Sequence, residues 1–323
     1  MTSTQKNSFV QLTQTTFGRL DMAPCIRFRD AMYDMAMGLE RLGTGLVPGA
    51  VSVDGIEISV LESQVRGEDR PALVLVHGFG SCKEAWLRMS KHLKNDFHII
   101  AVDLPGHGDS TKQMDKGYSL ADQAAYLQAI IKKMDVERPH IAGNSMGASI
   151  IALYASRYPE EVASITLFNP AGVSVYGSEF TQHLASGENP LIINSVDDYR
   201  RVMDFTMEKK IFLLWPMTDV LASKAIADRE LREKIFKDSR LKDLLLNENV
   251  GFKEVLRSIH APALIIWGRH DRLVDVKNAR LFDKLIPDSR LVILEDVGHA
   301  PMLEAPRISA KNIKDFALGD GKN

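Results

Sequence analysis

Gly143-Asn144-Ser145-Met146-Gly147 joins an apolar run to a helix-like segment beginning at Met146. A serine framed by glycines at a strand-to-helix junction sits on a turn too tight for larger neighbours. That turn holds the hydroxyl out at the positive end of the following helix. Serine is a weak nucleophile at neutral pH, so acyl transfer through Ser145 needs a base, and the base needs an orienting acid. His299 lies in a glycine-bearing loop after the run 289–294, and Asp271 lies just past the run 263–267. Both stand at the carboxyl ends of strand-like segments, where open parallel sheets carry their sites. Asp275 opens the next helix and reads as its N-cap, while Asp296 reads as a loop-shaping residue. His77 and His107 stand in glycine turns and are expected to bond backbone, and His270 is set apart only by adjacency to Asp271. A tetrahedral oxyanion needs donors worth about 3 kcal/mol each. The Met146 amide is one candidate, and the Phe79 amide in His77-Gly78-Phe79-Gly80 is the other.

These side chains require a scaffold that ends several strands on one edge. From residue 72 a buried strand, a glycine-bearing loop and an amphipathic helix repeat. The run starts with ALVLV, then come a helix near 83–94, FHIIAVDL, a helix near 119–134, the strand 139–145, a helix from Met146 to about Arg157 and the strand 162–170. Such alternation predicts a mostly parallel sheet covered on both faces by helices. It stops after Gly172. Residues 173–255 read as consecutive charged helices, with a capping signal at Ser195 and Asp198. The alternation resumes with the strand 262–271, a helix near 276–285, a strand from 289 and a closing helix near 305–317. The division expected is a core of 51–172 and 256–323, a helical insertion of 173–255, and an extension of 1–50. VSVDGIEISVLESQV (51–65) predicts a hairpin about Asp54-Gly55. Residues 25–43 predict a helix with Cys25, Phe28, Met32, Met35, Ala36, Leu39 and Leu42 on one face and Arg27, Asp30, Asp34 and Arg41 opposite. That apolar face must either pack on the insertion or lie in a lipid interface.

The composition narrows the classes. Forty Lys and Arg against 42 Asp and Glu leave a formal charge of −2, which excludes a generally basic surface seeking nucleic acid. A chain of 323 residues, 45% hydrophobic and 25% charged, is built to bury a core and is neither disordered nor a rod. Two cysteines provide no disulfide framework, and no Cys/His spacing fits zinc. There is no apolar run of membrane-spanning length and no signal-like opening. The expectation is a cytoplasmic protein, with 25–43 as a candidate contact to a membrane surface; its oligomeric state is left open.

Five motifs then carry a family likeness: HGFG (77–80), DLPGHGDS (103–110), GNSMG (143–147), WGRHD (267–271) and GHAPMLEAPR (298–307). In this order they resemble the α/β-hydrolase superfamily. The insertion, NPAG (169–172) and IIWGRHDRLVDV (265–276) most resemble its bacterial lipase and monoacylglycerol lipase-like branch. The resemblance implies an α/β-hydrolase fold with a helical cap, and a serine hydrolase that cleaves lipid-type carboxylic esters through an acyl-enzyme without cofactor or metal. Monoacylglycerols, lysophospholipids and medium-chain esters are the classes implied. Within the insertion, the apolar stretch 211–217 offers Phe212, Leu214 and Trp215 either as the insertion's own core or as an acyl-chain wall. GNSMG also recurs in hydrolases that cleave carbon–carbon bonds in aromatic ring-fission products. Those usually carry a tryptophan after the catalytic histidine, where this chain has Ala300. A third reading is a non-catalytic receptor or scaffold with an idle Ser–His–Asp set.

Overall fold

The structure is a computed structural model that describes residues 23–64, 70–210, 216–247 and 249–319. Helix α1 (Ala23–Leu42) leads into a hairpin of β1 (Leu46–Val53) and β2 (Ile56–Ser63). Asp54 and Gly55 join the strands with φ of 49° and 77°. Two left-handed residues make a primed turn whose twist matches the strands it connects. The strand begins five residues before the expected start, so Pro48 and Gly49 belong to β1. Its place at the sheet margin explains this, because an edge strand tolerates a missing amide.

The repeat follows as β3 (Ala72–Val76), α2 (Leu87–Ser90), β4 (His98–Val102), α3 (Leu120–Lys133), β5 (His140–Asn144), α4 (Met146–Arg157) and β6 (Ser164–Phe168). The helix expected near 83–94 is shorter, a 3-10 turn at Lys83–Trp86 running into one turn of α2. Lys83 supplies a physical reason. Its amide and its ammonium both bind the Asp103 carboxylate, each at 2.7 Å, which ties the first turn to the loop after β4. Ser119 and Asp122 form a reciprocal capping box that starts α3.

Residues 173–257 hold α5 (Glu179–Ala185), α6 (Val196–Thr206), α7 (Met217–Ala227), α8 (Arg229–Asp238), α9 (Leu241–Leu246) and α10 (Val250–Arg257). Ser195 caps α6 by accepting the Asp198 amide at 3.0 Å. The core resumes with β7 (Ala263–Gly268), α11 (Ala279–Leu285), β8 (Ser289–Leu294), α12 (Pro301–Glu304) and α13 (Pro306–Leu318).

The eight strands form one sheet in the order β1-β2-β4-β3-β5-β6-β7-β8, antiparallel in the first two pairings and parallel after them. Alternation along the strands sorts two cores. Val74, Val76, Ile100, Ile141 and Ile265 face one with α3, α4, α10 and α11, whereas Leu73, Leu75, Ile99, Ala142 and Ile266 face the other with α2, α12 and α13. Both faces are covered, so β3 through β7 are buried along almost their whole length. The carboxyl ends of β5, β6 and β7 therefore emerge side by side.

Helix α1 meets α7 of the insertion through Tyr33 but leaves most of its apolar stripe uncovered. Tyr33 is buried, with the Lys224 ammonium 4.6 Å from its ring centre, and Met37 packs on the second core. Arg41 pairs with Glu84, and Glu40 pairs with Arg88 and Lys91. The body is thus met by Tyr33, Met37, Glu40 and Arg41, and Phe28, Met35, Leu39 and Leu42 are exposed, between 60% and 78% of their surface.

Candidate active site

The β5–β6 ladder runs to Asn144 opposite Phe168, and α4 begins at Met146, so a single residue must turn the chain. That residue is Ser145, at φ 54° and ψ −116°. Such a backbone costs about 1–3 kcal/mol for a residue with a side chain and persists only where its surroundings hold it. Here the Ser145 amide donates to the Phe168 carbonyl at 2.9 Å, and its own carbonyl accepts the Ser149 amide at 3.1 Å. At Gly147 a Cβ would stand 2.4 Å from the His77 carbonyl oxygen, so only glycine lets α4 start this close to β3.

Beside this turn lies a buried acid–imidazole pair. Asp271 Oδ2 accepts from His299 Nδ1 at 2.8 Å and from the Asn169 amide group at 2.6 Å. Asp271 Oδ1 accepts the Leu273 and Val274 amides at 2.8 and 3.0 Å. Four donors stabilise the ionised carboxylate and fix its plane. With Nδ1 donating, His299 Nε2 is the nitrogen left to accept a proton. The His299 loop is anchored on both sides: its amide donates to the Thr206 carbonyl at 2.8 Å, and its carbonyl accepts from the Asn144 side chain at 3.1 Å. Glu304 accepts the Gly298 and Ala300 amides on that loop and the Glu208 and Lys209 amides across from it.

The third component is the turn Gly78–Ser81, closed by the Ser81 amide on the Gly78 carbonyl at 3.2 Å. Gly80 takes the third position at φ 67°, a type II geometry that favours glycine. A Cβ at Gly78 would lie 3.2 Å from Ser145 Cβ, so the turn abuts the serine. Phe79 occupies its second position, and Met146 is the first residue of α4, where helical amides have no intrahelical acceptor. His77 holds the turn: its Nε2 accepts the Leu104 amide at 3.0 Å, leaving Nδ1 to donate to the Gly78 carbonyl at 2.8 Å. Burial pushes the His77 imidazole below its ordinary range, consistent with this neutral tautomer. His107, also buried and pushed well down by burial, meets the Pro105 carbonyl at 3.2 Å and packs edge-on against Phe79.

Helix α8 lies over this turn. Phe236 packs edge-on against Phe79 with centroids 5.5 Å apart, and Ile235 meets Gly106. Of the residues singled out in the sequence, Asp271 and His299 are thus in direct contact, and Ser145, Met146 and Phe79 gather beside their loop. Asp275 caps the 3-10 turn at Val276–Asn278 by accepting the Lys277 amide at 2.8 Å, and His270 is exposed. Phe212, Leu214 and Trp215 lie outside the described residues. Sequence reasoning passed over Asn144, Asn169 and Glu304. Asn169 follows β6 with φ 44°, and an asparagine directly after a buried strand is the signal it offered.

The model of the alpha/beta hydrolase fold matches residues 71–306. This chain belongs to the α/β-hydrolase family. Among relatives of this α/β-hydrolase, Lipase 1 of Psychrobacter immobilis is 33% identical over 247 residues, 76% of each chain. A monoacylglycerol lipase of Mus musculus is 28% identical over 260 residues, 76% of this chain and 75% of that one. A crystal structure of a membrane phospholipase A, described as a bacterial virulence factor, superposes with a TM-score of 0.86 at 35% identity, covering 93% of this α/β-hydrolase and 95% of that chain. A meta-cleavage product hydrolase superposes at 0.72 with 21% identity, a likeness of fold.

Proposed function

We propose that this ester hydrolase cleaves lipid-type carboxylic esters with Ser145 as nucleophile, His299 as general base and Asp271 as its orienting acid. The observation that carries the reading is the strained Ser145 turn set against the buried Asp271–His299 pair. His299 Nε2 takes the hydroxyl proton as Ser145 Oγ attacks the ester carbonyl. The Phe79 and Met146 amides stabilise the resulting oxyanion. The tetrahedral adduct collapses as the imidazolium returns the proton to the leaving alcohol. A water deprotonated by His299 then releases the acid from the acyl-enzyme.

Lipid esters are favoured because the relatives named above are, by their names, a lipase, a monoacylglycerol lipase and a membrane phospholipase A. The helical insertion serves as a cap, with Phe212, Leu214 and Trp215 as a wall for the acyl chain. This is supported by α6 ending at Thr206, whose carbonyl holds the His299 amide five residues before that apolar stretch begins. The exposed Phe28, Met35, Leu39 and Leu42 support a further part of the proposal, that α1 touches a membrane surface. No helix among the described residues is long and apolar enough to cross a membrane.

The test is Ser145→Ala, assayed on medium-chain p-nitrophenyl esters, a monoacylglycerol and a ring-fission product. Turnover of the esters should fall at least about 10³-fold with the melting temperature retained. A fluorophosphonate should label wild-type Ser145, and an unlabelled serine would favour an idle scaffold. Faster turnover of the ring-fission product than of any ester would favour carbon–carbon cleavage instead.

A further inference from the structure

Among the described residues most half-buried arginines have a carboxylate. Arg272 is 2.6 Å from Glu208, and Arg41 and Arg88 reach Glu84 and Glu40. Arg232 of α8 does not: among the described residues no carboxylate stands within ion-pair distance of it. The carboxylate whose charge acts on it, Asp228 one turn earlier, is engaged by Lys112 at 2.7 Å. A guanidinium taken partly out of water without a partner is costly, so a site that keeps one is built to receive an anion.

Its position says which anion. A Cβ on Gly80 would lie 2.8 Å from an Arg232 terminal nitrogen, so the guanidinium rests on the turn whose preceding residue is Phe79. On the same helix face, Phe236 packs on the Phe79 ring. The cation therefore stands one residue along the chain from the amide assigned to the ester carbonyl. A group one glycerol backbone away from that carbonyl falls within its reach. Burial draws the guanidinium below its ordinary value, opposed by Asp228, and its field helps push His77 and His107 down. Those two imidazoles stay neutral beneath it, so they add no competing charge.

We propose that Arg232 is the anion subsite of this ester hydrolase, receiving the phosphoryl group of a lysophospholipid whose acyl ester lies at the Ser145 turn. The proposal rests on the reading of Ser145 as nucleophile. It makes phosphorylated monoacyl lipids preferred over neutral monoacylglycerols of the same chain. The planar fork of arginine suits phosphate oxygens in pairs, which lysine reproduces only as a point charge.

The experiment compares Arg232→Met and Arg232→Lys with wild type on lysophosphatidic acid and on a monoacylglycerol of the same chain, as monomers, with melting temperatures to check folding. For Arg232→Met, kcat/KM on lysophosphatidic acid should fall about tenfold further than on the monoacylglycerol, the loss expected for a charged hydrogen bond. Most of that should appear in KM, and Arg232→Lys should recover part of it. Equal losses on both substrates would make Arg232 a support for the Gly80 turn and overturn the proposal. Loss of inhibition by the free fatty acid, with the substrate ratio unchanged, would assign the anion to the product carboxylate and overturn it as well. Ser145→Ala in the same assay separates the two readings. Retained activity there sinks the nucleophile, whereas full dependence on Ser145 with an unmoved ratio sinks only the subsite.

Discussion

The Asp271 carboxylate accepts four hydrogen bonds, and one comes from His299, whose other ring nitrogen is the base of the proposed mechanism. An asparagine there would let its amide donate toward Nδ1, moving the ring proton to Nε2 where it blocks proton uptake. Asp271→Asn is accordingly expected to lower kcat about 10⁴-fold. Asp275 caps a 3-10 turn, and asparagine caps as well as aspartate, so Asp275→Asn should stay within about threefold of wild type. Steady-state kinetics on one p-nitrophenyl ester decides, and the reverse order would exchange their roles. Ser145, Asp271 and His299 were legible because each combines a reactive side chain with a glycine-bearing junction after an apolar run. Asn169 and Arg232 were not. Asn169 acts on Asp271 across 102 residues of chain, and Arg232 is one cation in the densely charged segment RELREKIFKD. Only the folded proximity of such partners distinguishes them from solvated surface.

Strand identity survived the passage from sequence to structure best, because β3 through β7 are buried on both sides and leave little for tertiary context to override. Helices were legible in number only where an apolar face met the sheet. In 173–257 the helices pack mostly on one another, and α6 has no buried residue, so periodicity marked helical character without fixing breaks. For helix α1 the periodicity left two settings open, packing on the insertion or a lipid interface. Its apolar stripe was evident, but the body is met by Tyr33, Met37 and a row of ion pairs. Replacing Phe28, Met35, Leu39 and Leu42 together by serine should abolish co-sedimentation with vesicles while the melting temperature holds within a few degrees. Tyr33→Ala should do the opposite, losing stability of about 3 kcal/mol as a buried aromatic is removed. Wild-type protein that stays in the supernatant would end the membrane assignment.

At the scale of the whole molecule, His77 and His107 link folding to pH. Both are held below the ordinary 6.5, first by burial, so in acid the unfolded chain binds protons that the folded one refuses. Stability is therefore complete above about pH 6.5 and falls below it, by up to about 1.4 kcal/mol per pH unit for each imidazole. Urea midpoints measured from about pH 7 to about pH 5 should drop, and His77→Gln, less stable at neutral pH, should show a shallower slope. An unchanged slope would mean that other groups carry the linkage. The same architecture divides the site between two stretches of chain. Ser145 and the Phe79 turn precede the helical insertion, Asp271 and His299 follow it, and β6 with β7 brings the halves together across roughly ninety residues. During synthesis the ribosome lays down Ser145 first, and His299 follows Asn144 by 155 positions. At about 5–20 residues per second, Ser145 is made about eight to thirty seconds before His299. On the roles proposed above, the nascent hydrolase cannot turn over an ester until β7 and the His299 loop have emerged.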